Sequence, residues 1–208
     1  MGNHIYTIGR EFGSGGKEIG VALANRLGVK CYDKELLKEA SKESGYCAEI
    51  FENHDEKPTN SFLYSLVMDT YSFGGYSSAP FMDMPLNHKI FLAQFDTIKK
   101  LAEKESCVIV GRCADYALED YKGCLNIFIH ADLSSRIKRI SKKMNLSSNK
   151  ARDLIQKTDK QRASYYNYYT SKKWGDSKSY DLTLNSSRMD IEGCVDIILA
   201  YRERMKKR

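Results

Sequence analysis

Ile5-Tyr6-Thr7-Ile8-Gly9-Arg10-Glu11-Phe12-Gly13-Ser14-Gly15-Gly16-Lys17-Glu18-Ile19-Gly20 is the stretch on which the fold turns. A β-branched, apolar run gives way to three glycines in four positions, and Ile19, Leu23 and Leu27 then recur at helical spacing. That is the pattern of a buried first strand entering a tight loop and leaving it as a helix. Gly13, Gly15 and Gly16 let successive backbone N–H groups converge without Cβ clashes, while the helix contributes the positive end of its dipole. Such a loop favours an anion, phosphate above all; the plain alternative is a tight strand-to-helix connection.

The letters depart from the common phosphate-loop pattern G-x-x-x-x-G-K-[ST]. Gly16-Lys17 is preceded by Glu11 where that pattern has glycine, and followed by Glu18 where it has Ser or Thr.

With 208 residues, 42% of them hydrophobic, the chain can bury a proper core, and its length suits one domain, 1–208. No run approaches the roughly 18 apolar residues of a membrane-spanning helix. Met1-Gly2-Asn3-His4 leads into the first strand without an apolar leader, so the expectation is a soluble, cytoplasmic protein with no membrane partner. Cys31, Cys47, Cys107, Cys113, Cys124 and Cys194 form no C-x-x-C pair, and His4, His54, His88 and His130 stand apart. Reduced thiols and no structural metal are expected. The net charge of +6 is modest and gathers in Lys142-Lys143 and the tail. It can steer anionic ligands without marking a nucleic-acid binder.

Outward from the loop, strand and helix alternate. A helix over about 17–27 stops at Gly28; Val29-Lys30-Cys31-Tyr32 is a short strand; Asp33 is placed to cap the helix that follows. Periodicity fades from Gly45 to about Leu86, apart from a short helix suggested at 62–67, and this segment reads as an inserted substrate-binding region or as a surface excursion packed on the core. Helical spacing resumes over about 87–105. The continuous apolar runs Cys107-Val108-Ile109-Val110 and Leu125-Asn126-Ile127-Phe128-Ile129 suit strands covered on both faces, with a helix over about 113–119 between them. Helices over about 133–143 and 149–169, a last strand at 181–185 and a closing helix over 191–205 complete the order. This is an α/β fold: a parallel sheet with helices on both faces. Ligands bind such sheets beyond the carboxyl ends of the strands, and the glycine loop, Asp33 and Gly111-Arg112 all fall on that rim.

Several blocks in order resemble the cytidylate kinase-like family of P-loop nucleoside monophosphate kinases. They are Ile8 to Ile19, Tyr32-Asp33-Lys34-Glu35-Leu36-Leu37, Val108-Ile109-Val110-Gly111-Arg112-Cys113-Ala114-Asp115, Asp159-Lys160-Gln161-Arg162-Ala163-Ser164-Tyr165-Tyr166, Trp174-Gly175-Asp176 and Tyr180-Asp181-Leu182-Thr183-Leu184-Asn185. The resemblance implies a mononucleotide-kinase fold with a five-stranded parallel sheet, an acceptor-binding insertion at 45–86 and a helical lid at 149–175. It also implies ATP, Mg²⁺ and transfer of the terminal phosphoryl group to CMP or dCMP. Gly13, Ser14, Gly15, Gly16, Lys17 and Glu18 would then cradle the donor phosphates, and Arg112 would grip the acceptor phosphate with two parallel hydrogen bonds. Arg136 and Arg139, on the helix after the fourth strand, would be the lid-flanking arginines and Asp159 with Arg162 the lid motif D-x-x-R, all four taking part in catalysis.

Each of these residues also has a structural reading. Arg112 could pair with Asp115 or Glu119, and Asp159 with Arg162 is a simple i, i+3 pair. Glu18 suits a first helical turn with or without a metal. The aromatics of Tyr165-Tyr166-Asn167-Tyr168-Tyr169 to Trp174 have helical spacing that favours packing, although they could hold a nucleotide base or stack single-stranded nucleic acid. By block alignment Gly16 takes the place of the family's loop lysine, and Lys17 follows one residue later, rotated by about 100° on the helix. The family's lid arginine is Ile155 in this chain. A kinase for another small acceptor, and a nucleotide-binding protein that no longer catalyses transfer, therefore stand beside the nucleoside monophosphate kinase.

Overall fold

The computed structural model describes residues 3–45, 49–51, 55–56 and 85–205. Its strands are β1 (Ile5–Arg10), β2 (Lys30–Tyr32), β3 (Cys107–Val110), β4 (Cys124–His130) and β5 (Leu182–Asn185). Its helices are α1 (Gly16–Leu27), α2 (Lys34–Ser44), α3 (Leu86–Lys104), α4 (Ala114–Ala117), α5 (Leu133–Met144), α6 (Ser148–Thr170) and α7 (Ile191–Met205). All strand pairs are parallel, in the order β2-β3-β1-β4-β5. β1 is central: Ile5 pairs with Cys107 on one side and Cys124 on the other.

Helices cover both faces because the strands are apolar on both. On one face Ile8, Val110, Leu125, Ile127 and Ile129 pack against Ile19 and Leu23 of α1 and Cys194, Val195 and Ile198 of α7. On the other, Ile5, Cys107 and Ile109 pack against Leu36 of α2, Ile98 and Leu101 of α3, and Ala114 and Ala117 of α4. These strand residues are fully buried, so truncating one, Ile127→Ala for instance, would cost about 2–5 kcal/mol. Residues 45–86, expected as an insertion, lie largely outside the described residues, as does the helix expected at 62–67.

Two local expectations change. Asp33 precedes α2 but its side chain makes no capping hydrogen bond; it is drawn instead to two cations at the rim. The helix expected over 113–119 shrinks to Ala114–Ala117: Arg112 and Cys113 both take φ of 55° and delay its start, and at its end the Glu119 amide turns back to the Tyr116 carbonyl. The aromatic stretch is packing: Tyr165, Tyr166 and Tyr169 are buried on α6, and Tyr169 stacks on Phe91 of α3 at 4.0 Å between ring centroids.

Candidate active site

The glycine loop leaves the carboxyl end of β1 and closes in one turn. Gly13 and Gly15 hold φ of 80° and 84°, a region that side chains rarely enter. Ser14 is fully buried; its Oγ accepts from the Gly16 amide at 3.3 Å, and its carbonyl accepts from the Ser186 hydroxyl at 2.5 Å. Arg139 of α5 donates to the Gly13 carbonyl at 2.5 Å, bracing the loop from the far side. Among the described residues no backbone carbonyl takes the amides of Gly13, Gly15 or Lys17. Donors left over in this way, with the start of α1 behind Gly15, suit an anion.

Beside the loop, arginines from three elements meet acidic side chains. Arg112, at the turn after β3, donates from Nη1 to Asp33 at 2.5 Å and holds Asp55 with Nε at 3.1 Å and Nη2 at 2.8 Å. Arg10, the last residue of β1, donates to both oxygens of Glu56 at 2.6 and 3.3 Å. Arg162 of α6 reaches the same carboxylate from Nε at 3.0 Å. Burial alone would raise the Glu56 pKa, but the Arg10, Arg162 and Arg112 charges outweigh it and hold the carboxyl far below its usual range. Asp33 follows the same logic: burial raises it, Arg112 and Lys17 lower it further. Burial beside Arg10 depresses Arg162, whereas the surrounding carboxylates overcome burial and raise Arg112.

The remaining expected residues divide between this cluster and its border. Lys17 Nζ lies 2.7 Å from Asp33, with about half its side chain exposed, so it leans toward the second strand and not over the loop. Arg136 pairs with Asp159 at 2.5 Å and Glu11 at 3.4 Å, and Asp159 also accepts from the Phe12 amide at 2.7 Å. Asp159 and Arg162 therefore serve separate partners and are not the simple pair their spacing allows. Glu18 takes Lys143 at 2.8 Å. Neither carboxylate near Arg112 in sequence is its partner: Asp115 accepts from Tyr166 at 2.6 Å and Glu119 pairs with Lys172. Burial raises the Asp115 pKa despite that hydrogen bond. Ile155 is fully buried, packed with Ile140 and Ala151.

Two cavities flank the loop. One, of about 480 Å³, is lined by Arg10, Gly13, Lys17, Asp33, Arg112 and Arg162 among others. The second, of about 350 Å³, lies past Ser14 and Arg139 and is walled by Ile19, Met189 and Ile191. Sequence reasoning singled out the loop, Arg112 and the α5–α6 residues but not Arg10, Asp55 or Glu56 as site members. Arg10 ends the first strand just before the loop, where a site residue is expected; nothing in the pattern around Asp55-Glu56 distinguishes them from an ordinary polar turn.

The sequence profile of the cytidylate kinase-like family matches residues 5–188. The chain belongs to the cytidylate kinase-like family. Within reach of this kinase-like chain is a solved structure of an uncharacterized protein from Eubacterium ventriosum, 30% identical, with TM-score 0.73, covering 97% of this chain and 99% of that one. A shikimate kinase from Bacteroides thetaiotaomicron shares the fold at TM-score 0.55 and 15% identity, covering 96% of this chain and 98% of its own. A cytidylate kinase from Methanocaldococcus jannaschii is 29% identical over 111 residues, which span 52% of this chain and 62% of that protein. Among the described residues no helix is long and apolar enough to cross a membrane, and no three His, Cys, Asp or Glu side chains gather as a metal cluster.

Proposed function

We propose that this cytidylate kinase-like chain, acting in the cytoplasm, transfers the terminal phosphoryl group of ATP to a nucleoside monophosphate, with CMP and dCMP the first acceptors to test. The observation that carries the reading is the meeting of an open anion nest with Arg10, Arg112 and Arg162 at one rim of the sheet. Phosphoryl transfer asks mainly for alignment and positive charge around a loose transition state, and this rim offers both. The smaller cavity suits a flat base, with Arg139 on one side and Met189 and Ile191 on the other. The donor polyphosphate would then run over the Gly13, Gly15 and Lys17 amides toward the larger cavity.

There the acceptor phosphate would take the fork of Arg112 now held by Asp55, since carboxylate and phosphate offer guanidinium the same paired oxygens. Within the insertion, Asp55 and Glu56 are the described side chains through which acceptor binding would act. Arg136 and Arg139 stand along the loop, with Asp159 orienting Arg136 and holding the Phe12 amide. Mg²⁺ supplies charge neutralisation when bound to the polyphosphate and commonly takes only one or two protein carboxylates. Glu18 fits that need, because its partner Lys143 is exposed and exchangeable.

A second reading, nucleotide binding without transfer, is favoured by Gly16 in the loop lysine's place. An ADP-release assay with MgATP and a panel of ribo- and deoxyribonucleoside monophosphates separates the two. Turnover with CMP or dCMP that collapses in Arg112→Ala supports the kinase. ATP binding without turnover on any acceptor removes it.

A further inference from the structure

The chain lacks a lysine at the point where a phosphate loop keeps one, yet a cation begins within a bond length or two of the same point. A Cβ built on Gly16 would lie 2.5 Å from the Arg10 Cβ and 3.1 Å from its Cγ. Side chains at positions 10 and 16 therefore compete for one space, and only one of them can exist. In the pattern G-x-x-x-x-G-K, aligned on Gly15, position 10 is the first glycine and position 16 the lysine. This chain has the two reversed: Arg10 where glycine belongs, Gly16 where lysine belongs.

The far end of Arg10 is cleared in the same way. A Cβ on Gly111 would run into Arg10 Nη1 and lie 2.6 Å from its Cζ, so the guanidinium packs against a glycine at the turn after β3. Glycines thus make room at the root and at the tip of one side chain. Glu56 orients it and takes two of its five N–H donors. Arg10 also lines the larger cavity, with Gly13, Gly15 and Lys17. Lys17, the other candidate, is committed to Asp33.

We propose that Arg10 is the donor-phosphate cation of this chain, moved from the start of α1 to the end of β1, with Gly16 and Gly111 as the residues that admit it. The inference rests on the polyphosphate-binding reading above, but it concerns binding and does not need turnover. Its ligand is the terminal phosphates of a nucleoside triphosphate, and inorganic tripolyphosphate is the probe that isolates them.

The test is calorimetric titration of MgATP and of tripolyphosphate into the full chain and four variants, each checked for folding by thermal melt. Arg10→Gln is expected to weaken tripolyphosphate about 10- to 100-fold, the range for losing a charge-assisted hydrogen bond, and Arg10→Lys to stay within a few-fold of the parent. Gly16→Lys alone should lose binding because two side chains collide. The double variant Arg10→Gly/Gly16→Lys, which rebuilds the standard pattern, should recover it. Should Arg10→Gln not fold, the comparison of Gly16→Lys with the double variant decides. Parental affinity in Arg10→Gln or Gly16→Lys, failure of the folded double variant to exceed Gly16→Lys, or absence of tripolyphosphate binding to the parent overturns the proposal. If the parent and the variants bind in the expected order while no monophosphate is phosphorylated, the relocated cation stands and the kinase reading falls.

Discussion

Glu56→Gln removes the single negative charge that Arg10 and Arg162 share and leaves two guanidiniums buried side by side. Both arginines are about nine-tenths buried at the side chain or close to it, and Glu56 itself is 9% exposed, so solvent screens little of the loss. Breaking one partner out of a buried ion cluster costs about 3–5 kcal/mol. For a chain of this size about 2–4 °C of melting temperature goes with each kcal/mol, which gives a drop of roughly 6–20 °C at pH 7. Because the folded carboxyl titrates far below the unfolded value of about 4.3, its stabilisation is complete above that pH. It fades as pH falls toward the folded value. The gap between parent and variant should therefore hold constant from pH 5 to 8 and narrow below pH 4. Circular-dichroism melts across that range measure it, and added inorganic phosphate should recover part of the loss in the variant by supplying the missing anion. A variant melting within about 2 °C of the parent at pH 7 would refute the view that the arginines need this carboxylate.

Arg112→Ala should lower kcat/KM for the acceptor by roughly 100-fold through loss of a paired, charge-assisted contact, read in the ADP-release assay. Asp55→Asn, which loosens the fork of Arg112, should tighten inorganic phosphate binding several-fold by calorimetry; weaker binding would mean that Asp55 shapes the site and does not merely fill it. Ile155→Arg should cost more than about 3 kcal/mol in a urea melt, since the position is fully buried. Tyr166→Phe leaves the buried Asp115 without its hydroxyl donor and should cost about 1–3 kcal/mol, with a further upward move of the Asp115 pKa seen by carboxyl-carbon NMR.

The sheet was readable in the sequence because buried parallel strands are short, apolar on both faces and stopped by glycine or a polar residue. Cys107 to Val110 and Leu125 to Ile129 announce themselves in that way, and β1 through β5 lie within a residue or two of expectation. The rim was readable for the same reason: whatever follows such a strand lands there. Partnership was not. Nothing in sequence spacing says that Arg112 bonds to Asp33 and Asp55, 79 and 57 residues away, and not to Asp115. Local rules pointed to the near neighbour, and burial of the guanidinium decided for the carboxylates that could surround it. Asp33 was a cap by propensity, yet two cations offered its side chain more than one backbone amide could.

α6 is a single helix of 23 residues, about 35 Å long, with Asp159 and Arg162 at the site and Tyr165, Tyr166 and Tyr169 in the aromatic packing near its end. A rod of that kind conveys displacement instead of absorbing it. Beyond its end, Trp174, the only tryptophan in the chain, bonds through its amide to Asn167 and meets Phe128 edge-on at 5.4 Å. Phe128 belongs to β4, whose next residue, Ile129, receives the amide of Glu11 from the glycine loop. One indole is thereby linked to the loop through the sheet and to the arginine cluster through the helix, so its fluorescence should change when a ligand settles at the rim.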